Sequence, residues 1–108
     1  MTTEIRELTR KILDFVDERN WRQFHSPKDL AISVTIEAAE LLECFQWDRE
    51  SSTLDIQREI ADICIYLLEL SDTLGIDIKA AIEEKIALNI ERYPKEKSWG
   101  SSKKYDKL

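Results

Sequence analysis

The chain contains few residues of the kinds that break helices, build disulfide frameworks or carry histidine chemistry. Its 108 residues include two glycines, two prolines, two cysteines and one histidine. So little glycine and proline, in a sequence rich in Ile, Leu, Glu and Lys, argues against sheets and disorder and predicts an all-α fold. Cys44 and Cys64 are too few for a disulfide framework and lack zinc-ligand spacing, so we expect free buried thiols.

Long apolar segments and a signal-like start are also missing. The sequence has no run of 18 uncharged apolar residues, and it opens Met-Thr-Thr-Glu-Ile-Arg-Glu, which is not the pattern of a signal peptide. We therefore expect a cytoplasmic protein. Its length predicts one all-α domain over residues 1–94, followed by a basic tail over residues 95–108.

The net charge of −6 is unevenly distributed. Residues 95–108 carry five lysines against two acids, a net charge of +3, whereas residues 1–94 hold 11 basic and 20 acidic residues, a net charge of −9. A body this acidic repels nucleic-acid phosphates, so we expect no nucleic-acid partner. A nucleotide whose phosphates are neutralised by metal ions remains a compatible ligand.

Apolar periodicity and capping residues predict four helices. The predicted ranges are 4–20, 27–47, 54–74 and 78–92. The predicted N-terminal caps are Thr3, then Ser26 with Pro27 at the first helical position, then Ser52 in a Ser-x-x-Asp capping box, and finally Asp77. Gly75 and Pro94 are expected to end the last two helices.

The third predicted helix is apolar nearly all round, which three partner helices in so short a chain cannot cover. We therefore expect a homo-oligomer that buries the remaining surface. The fourth helix is expected to pack inward through Ile78, Ile82, Ile86 and Ile90. The architecture that follows is a set of antiparallel helical hairpins forming a four-helix-type bundle, completed by oligomerisation.

Two acidic motifs organise the sequence, Glu37-Ala-Ala-Glu40 in the second helix and Glu59-Ile-Ala-Asp62 in the third. Each places two carboxylates on one helix face, and a helix hairpin can bring the two faces together. A solvated acidic surface is the alternative for any single pair. These pairs are embedded in apolar sequence, however, where unpaired carboxylates are unfavourable. Oxygen-only ligands of this kind favour Mg²⁺ or Mn²⁺, and therefore a phosphate-bearing substrate.

For each of several aromatic and polar residues elsewhere, two interpretations stay open. In the connector before the second helix, Trp21 either covers the core or contacts a ligand, and His25 is either a surface or capping residue or a ligand contact. A helical wheel puts Trp47 on the side of the acids, as a core residue or as a stacking surface for a planar ring. Lys85, Asn89 and Arg92 or Tyr93 share a stripe that is either solvated or holds phosphate.

The sequence resembles the MazG-like all-α nucleoside triphosphate pyrophosphohydrolases, and most closely their dCTP pyrophosphatase branch. The blocks that carry the resemblance are Trp21-Arg-Gln-Phe24-His25-x-Pro27-Lys-x-Leu30, Glu37-Ala-Ala-Glu-Leu-Leu-Glu-Cys-Phe45-Gln-Trp47, Glu59-Ile-Ala-Asp-Ile-Cys-Ile-Tyr66-Leu and Lys85-x-x-x-Asn89-x-x-Arg92-Tyr93-Pro94. The tail segment Gly100-Ser101-x-x-Lys-Tyr105 resembles that branch as well, so the match covers nearly the whole chain.

The resemblance implies Mg²⁺-dependent hydrolysis between the α and β phosphates, giving a monophosphate and pyrophosphate, with dCTP or a 5-modified dCTP as substrate. It also implies a homo-oligomer, a tetramer built as a dimer of dimers, with sites between subunits. The implied metal ligands and catalytic residues are Glu37, Glu40, Glu59 and Asp62. The implied phosphate-binding residues are Lys85, Asn89 and Tyr93, and the implied base and sugar pocket consists of Trp21, His25, Trp47 and Tyr66.

Two other functions stay open on the sequence alone. The first is a non-catalytic helical interaction module, in which the acids are surface charge and the third helix docks a partner. The second keeps the fold but changes the substrate, to dUTP or to a broad range of nucleoside triphosphates, because aromatic stacking does not distinguish one ring from another.

Overall fold

The computed structural model of the chain describes residues 3–47 and 50–108, and over these residues it contains helices and no strand. The four long helices are α1 (Thr3–Glu18), α2 (Pro27–Glu43), α3 (Thr53–Thr73) and α4 (Ile78–Arg92). A short helix, α5 (Lys95–Ser98), and two 3₁₀ turns, Arg22–Phe24 and Tyr105–Lys107, complete the secondary structure. The all-α prediction is confirmed.

Local capping sets where the helices begin. The side chains of Ser26 and Asp77 each accept a hydrogen bond from the backbone N–H three residues further on, at 3.1 Å. Ser52 and Asp55 form both bonds of the predicted capping box. These three predicted caps are confirmed. The side chain of Thr3, the fourth predicted cap, lies outside the part of the chain that the structure describes.

The first two helices end earlier than predicted. α1 ends at Glu18, and Asn20 follows with a φ of 54°. α2 ends at Glu43 rather than at residue 47, and Trp47 adopts a φ of 56° in the turn beyond it. A left-handed residue cannot continue an α-helix. The helical-wheel position predicted for Trp47 is therefore wrong.

The α2–α3 hairpin is the most extensive helix pairing, and α1 packs against α3. Leu30 on α2 is the most deeply buried apolar side chain, with Val16 of α1 and Cys44 also buried. Both cysteines are free, as predicted, but only one is buried. Cys64 is exposed on α3, so the prediction of burial is wrong for that residue, because α3 has more apolar faces than α1 and α2 cover.

α4 departs from the hairpin after Gly75, which adopts a φ of 69°. Within the described residues, α4 makes only isolated contacts with the other long helices. Ile82, Ile86 and Ile90 are all more than half exposed, and Ile78 is half-buried. The prediction that this isoleucine stripe packs inward is wrong for the single chain, because none of the other described helices packs closely against it.

The basic tail folds back onto the end of α4. The ring of Tyr105 meets the ring of Tyr93 edge to face, with 6.1 Å between centroids, and the Arg92 guanidinium lies 4.7 Å from the centre of the Tyr105 ring. Trp99 remains 91% exposed. Over the residues described, none of the helices has the length and apolar character needed to cross a bilayer.

Candidate metal and nucleotide site

Three carboxylates from the two acidic motifs converge across the α2–α3 hairpin. One carboxylate oxygen from each of Glu37, Glu40 and Glu59 lies within 4.8 Å of the other two. Glu37 and Glu40 stand one turn apart on α2, and Glu59 reaches them from α3. Asp62 lies beside this triad, close enough for its charge to raise the pKa of Glu37 and Glu59. We call these four residues the acid cluster.

The acid cluster carries more negative charge than its surroundings stabilise. Burial raises the pKa of Glu37 from 4.5 to about 7, and the neighbouring carboxylates, Glu40 first among them, contribute to the shift. Burial also raises the pKa of Glu59, with a further contribution from the charge of Glu40. A carboxylate in such a position either holds a proton at neutral pH or requires a cation beside it.

The donor set fits a hard divalent cation. The Oε2 atoms of Glu37 and Glu59 are buried and have no hydrogen-bond partner within the described residues. Buried oxygens without a donor are unfavourable, and a cation coordinated by them removes that cost. Carboxylate oxygens alone suit Mg²⁺ or Mn²⁺ better than Zn²⁺. These residues can therefore hold a metal ion.

A cavity of about 350 Å³ begins at the acid cluster and runs between α1 and α3. We call it the aromatic cavity. It is lined by Trp21, His25, Asp62, Tyr66 and Glu69, and Lys11 together with apolar side chains of α1 forms another part of its wall. Trp21 is held against α1 by an edge-to-face contact with Phe15, with 5.6 Å between ring centroids.

Tyr66 stands between the acid cluster and the far end of this cavity. Burial raises the pKa of its hydroxyl, and the charges of Glu37, Asp62 and Glu69 add to that shift. Its ring meets the His25 ring at 71°, with 6.4 Å between centroids. Tyr66 is therefore adjacent to carboxylates on both sides and remains a neutral hydrogen-bond donor at physiological pH.

Glu69 is a site residue to which the sequence analysis assigns no role. It is only 2% exposed, and its Oε1 lies 2.6 Å from Nδ1 of His25. Glu69 follows Asp62 by seven residues and Tyr66 by three. Residues with these spacings share one helix face, so the spacing is the feature of the sequence that could have assigned Glu69 to the site. Without that spacing, a charged residue on the polar face of a predicted helix indicates only a solvated surface.

A second cavity of about 350 Å³ touches two other side chains of the acid cluster. It is lined by Glu40 and Glu59 together with Arg58, Cys44 and two further acids. Arg58 contributes a positively charged side chain to this lining. The acid cluster therefore lies between an aromatic cavity and a polar one.

Four predicted site residues lie away from the acid cluster in the single chain. Trp47 is 95% exposed at the end of the hairpin. Lys85, Asn89 and Tyr93 lie on α4 or at its end, and neither cavity beside the acids is lined by them or by Trp47, as far as the described residues show. Three of the four residues predicted for the base and sugar pocket, Trp21, His25 and Tyr66, do line the aromatic cavity.

Comparison with known proteins identifies the class to which this fold and site belong. The sequence profile of the MazG-like family matches residues 32–108. The chain therefore belongs to the MazG-like family of nucleotide pyrophosphohydrolases and is an enzyme of that class. The alternative of a non-catalytic helical module is set aside for this reason. Pyrophosphatases of this family are generally metal dependent, in agreement with the oxygen-rich triad.

Individual relatives and a solved structure are similar to most of the chain. The chain is 34% identical to dCTP pyrophosphatase 1 of Homo sapiens and 35% identical to dCTP pyrophosphatase 1 of Bos taurus, each over 116 residues. These matches cover 96% of this chain and 67% or 68% of the relatives. A crystal structure of a pyrophosphatase from Archaeoglobus fulgidus superposes with a TM-score of 0.80 at 39% identity, covering 87% of this chain and 95% of the other.

Proposed function

We propose that this enzyme hydrolyses a nucleoside triphosphate between the α and β phosphates, with Mg²⁺, and that dCTP or a 5-modified dCTP is its substrate. The observation that carries the proposal is the triad of Glu37, Glu40 and Glu59, with two buried oxygens that lack a partner in the described structure, next to Asp62, which lines the aromatic cavity. The relatives named dCTP pyrophosphatase 1 support the choice of substrate.

The acid cluster supplies the ligands in this proposal. Glu37, Glu40, Glu59 and Asp62 hold Mg²⁺, with Mn²⁺ as a possible substitute. When bound, Mg²⁺ would neutralise phosphate charge and stabilise the leaving pyrophosphate. In this proposal a carboxylate of the acid cluster accepts the proton of the attacking water. Trp21, which is already positioned by Phe15, stacks on the base.

We further propose that a second copy of the chain completes the site. The isoleucine stripe of α4 and several apolar residues of α3, among them Ile60 and Ile65, are exposed in the single chain. Covering them with a second copy would bury α4, which carries the proposed phosphate ligands Lys85, Asn89 and Tyr93. In a tetramer built as a dimer of dimers, these residues and the protruding Trp47 reach the nucleotide held by another copy.

A pyrophosphate-release screen tests the substrate. The wild-type enzyme is incubated with Mg²⁺ and each of dCTP, 5-methyl-dCTP, dUTP, dTTP, dATP and dGTP, and products are separated to distinguish pyrophosphate from orthophosphate. We expect pyrophosphate and monophosphate, with dCTP or 5-methyl-dCTP giving the highest kcat/KM. Equal rates on all six would support a broad nucleotide range instead, and orthophosphate release would contradict cleavage between the α and β phosphates.

A further inference from the structure

We propose that the Glu69 carboxylate reads the base, by accepting a hydrogen bond from its exocyclic amino group inside the aromatic cavity. Glu69 would then select a 4-amino pyrimidine over the 4-oxo pyrimidine of the same shape. This inference rests on the proposed function, because it assigns a substrate-selecting residue to the same site.

Glu69 has a buried carboxylate oxygen that lacks a partner in the described structure. Glu69 is 98% removed from solvent, and its Oε1 is taken by Nδ1 of His25 at 2.6 Å. Its Oε2 is buried and has no hydrogen-bond partner in the described part of the chain. Buried carboxylate oxygens in proteins are almost always paired, because desolvation without a hydrogen bond is unfavourable. A donor delivered by the ligand satisfies this oxygen.

Glu69 lies on the same face of α3 as the acids of that helix. Glu59, Asp62, Tyr66 and Glu69 follow one another at intervals of three, four and three residues, so they lie on one helix face. Seven residues separate Asp62 from Glu69, which corresponds to about 10 Å along the helix axis. Both residues line the aromatic cavity. A nucleotide with its phosphates at the acid cluster therefore extends its base toward Glu69.

The hydrogen-bonding groups of Glu69 and of cytosine are complementary. An ionised carboxylate only accepts hydrogen bonds, and the 4-amino group of cytosine only donates them. Uracil presents a carbonyl oxygen at the same position, which would place two acceptors against each other in a buried cavity. Sites that hydrogen-bond a substrate group discriminate strongly against an analogue that lacks it. We expect the wild-type enzyme to prefer dCTP to dUTP by about 100-fold in kcat/KM.

Glu69→Gln separates this role from a purely structural one. The glutamine oxygen can still accept from His25, while its amide nitrogen places a donor where the carboxylate had an acceptor. We expect kcat/KM for dCTP to fall, kcat/KM for dUTP to rise, and their ratio to decrease at least about 10-fold. A residue that only holds His25 in place would lower both values by the same factor, which would overturn the inference.

Asp72→Asn is the matched control. It removes one carboxylate charge from an exposed position one turn further along α3, outside the aromatic cavity. We expect it to leave the dCTP to dUTP ratio unchanged. Circular dichroism and thermal melting of each variant show whether the fold is retained. An equal change in the ratio for Asp72→Asn would attribute the effect to net charge and overturn the inference.

A substrate analogue tests the same contact in the wild-type enzyme, where folding is not in question. The deoxynucleoside triphosphate of pyrimidin-2-one lacks the 4-amino group and is otherwise shaped like dCTP. We expect its kcat/KM to be at least about 30-fold below that of dCTP, and equal hydrolysis of the two would overturn the inference. If the wild-type enzyme hydrolyses no nucleoside triphosphate at all, the proposed function fails, and the assignment of Glu69 fails with it.

Discussion

Replacing Glu37 with glutamine should stabilise the metal-free protein at alkaline pH. The carboxyl group of Glu37 has a pKa of about 7 in the folded chain against 4.5 when unperturbed, chiefly because it is buried, with the neighbouring carboxylates adding to the effect. The folded state therefore holds a proton that the unfolded state releases between these two pH values. The free energy of unfolding must fall as the pH rises from about 4.5 to about 7, and the loss is complete above that window.

The magnitude follows from the size of this shift. At 1.36 kcal/mol for each pKa unit, the upper limit is about 3 kcal/mol. Glu37 is partly exposed, so solvent screens the repulsion, and we expect a real loss of about 1–2 kcal/mol between pH 5 and pH 8. Glu37→Gln removes the ionisable group. At pH 8 without metal it should therefore be more stable than the wild type by about the same 1–2 kcal/mol.

Urea unfolding in EDTA, followed by circular dichroism at pH 5 and pH 8 and at one fixed protein concentration, measures this difference. Glu7→Gln, at an exposed position on α1, is the matched control and should change stability little at either pH. Added Mg²⁺ should stabilise the wild type at pH 8 and stabilise Glu37→Gln much less. A glutamine variant that is no more stable than the wild type at pH 8 in EDTA would refute the electrostatic description of the acid cluster.

Three further predictions concern catalysis and assembly. Glu40→Ala or Asp62→Ala should reduce pyrophosphate release at least about 1,000-fold while circular dichroism shows unchanged helicity; activity within a few fold of the wild type would contradict the metal site. Mixing inactive Glu40→Ala and Lys85→Ala subunits should restore activity, since a mixed assembly contains sites with both residues intact; a mixture as inactive as its components would contradict a shared site. Ile86→Glu places a charge on the proposed α4 interface, so it should give a monomer by light scattering and lose activity; an unchanged oligomer would contradict an interface at α4.

Local signals in the sequence were sufficient for much of the fold. The capping box of Ser52 and Asp55 was predictable because it depends only on residues three positions apart. The fourth helix was predicted over the range that it occupies, since Asp77 and Pro94 mark its limits. The end of α2 at Glu43 was not predictable in this way, because no glycine or proline follows it closely, and the left-handed conformation of Trp47 in the next turn is one that residue type alone does not favour.

Features that depend on distant residues were not predictable from local pattern. The isoleucine stripe of α4 correctly indicates a helix with an apolar face, but periodicity does not say whether the same chain or another copy covers that face. The contact of Glu69 with His25 joins residues 44 positions apart, since His25 lies in the connector before α2. The four acids, by contrast, were predictable as a group because a hairpin between two helices constrains which faces meet.

Under the proposed function, the arrangement along α3 would link catalysis to the choice of substrate. Glu59, Asp62, Tyr66 and Glu69 share a single helix face, so the packing of α3 against α2 sets the spacing of the acid cluster, and its packing against α1 sets the shape of the aromatic cavity. A one-residue shift of α3 would turn its residues by about 100° and would remove the proposed metal ligands and the proposed base contact together. Selection of the base and positioning of the phosphates would therefore both depend on how α3 packs against its neighbours. Under the proposed function, substitutions that change substrate preference without loss of turnover should occur at Glu69 and the surrounding cavity wall rather than within the hairpin interface.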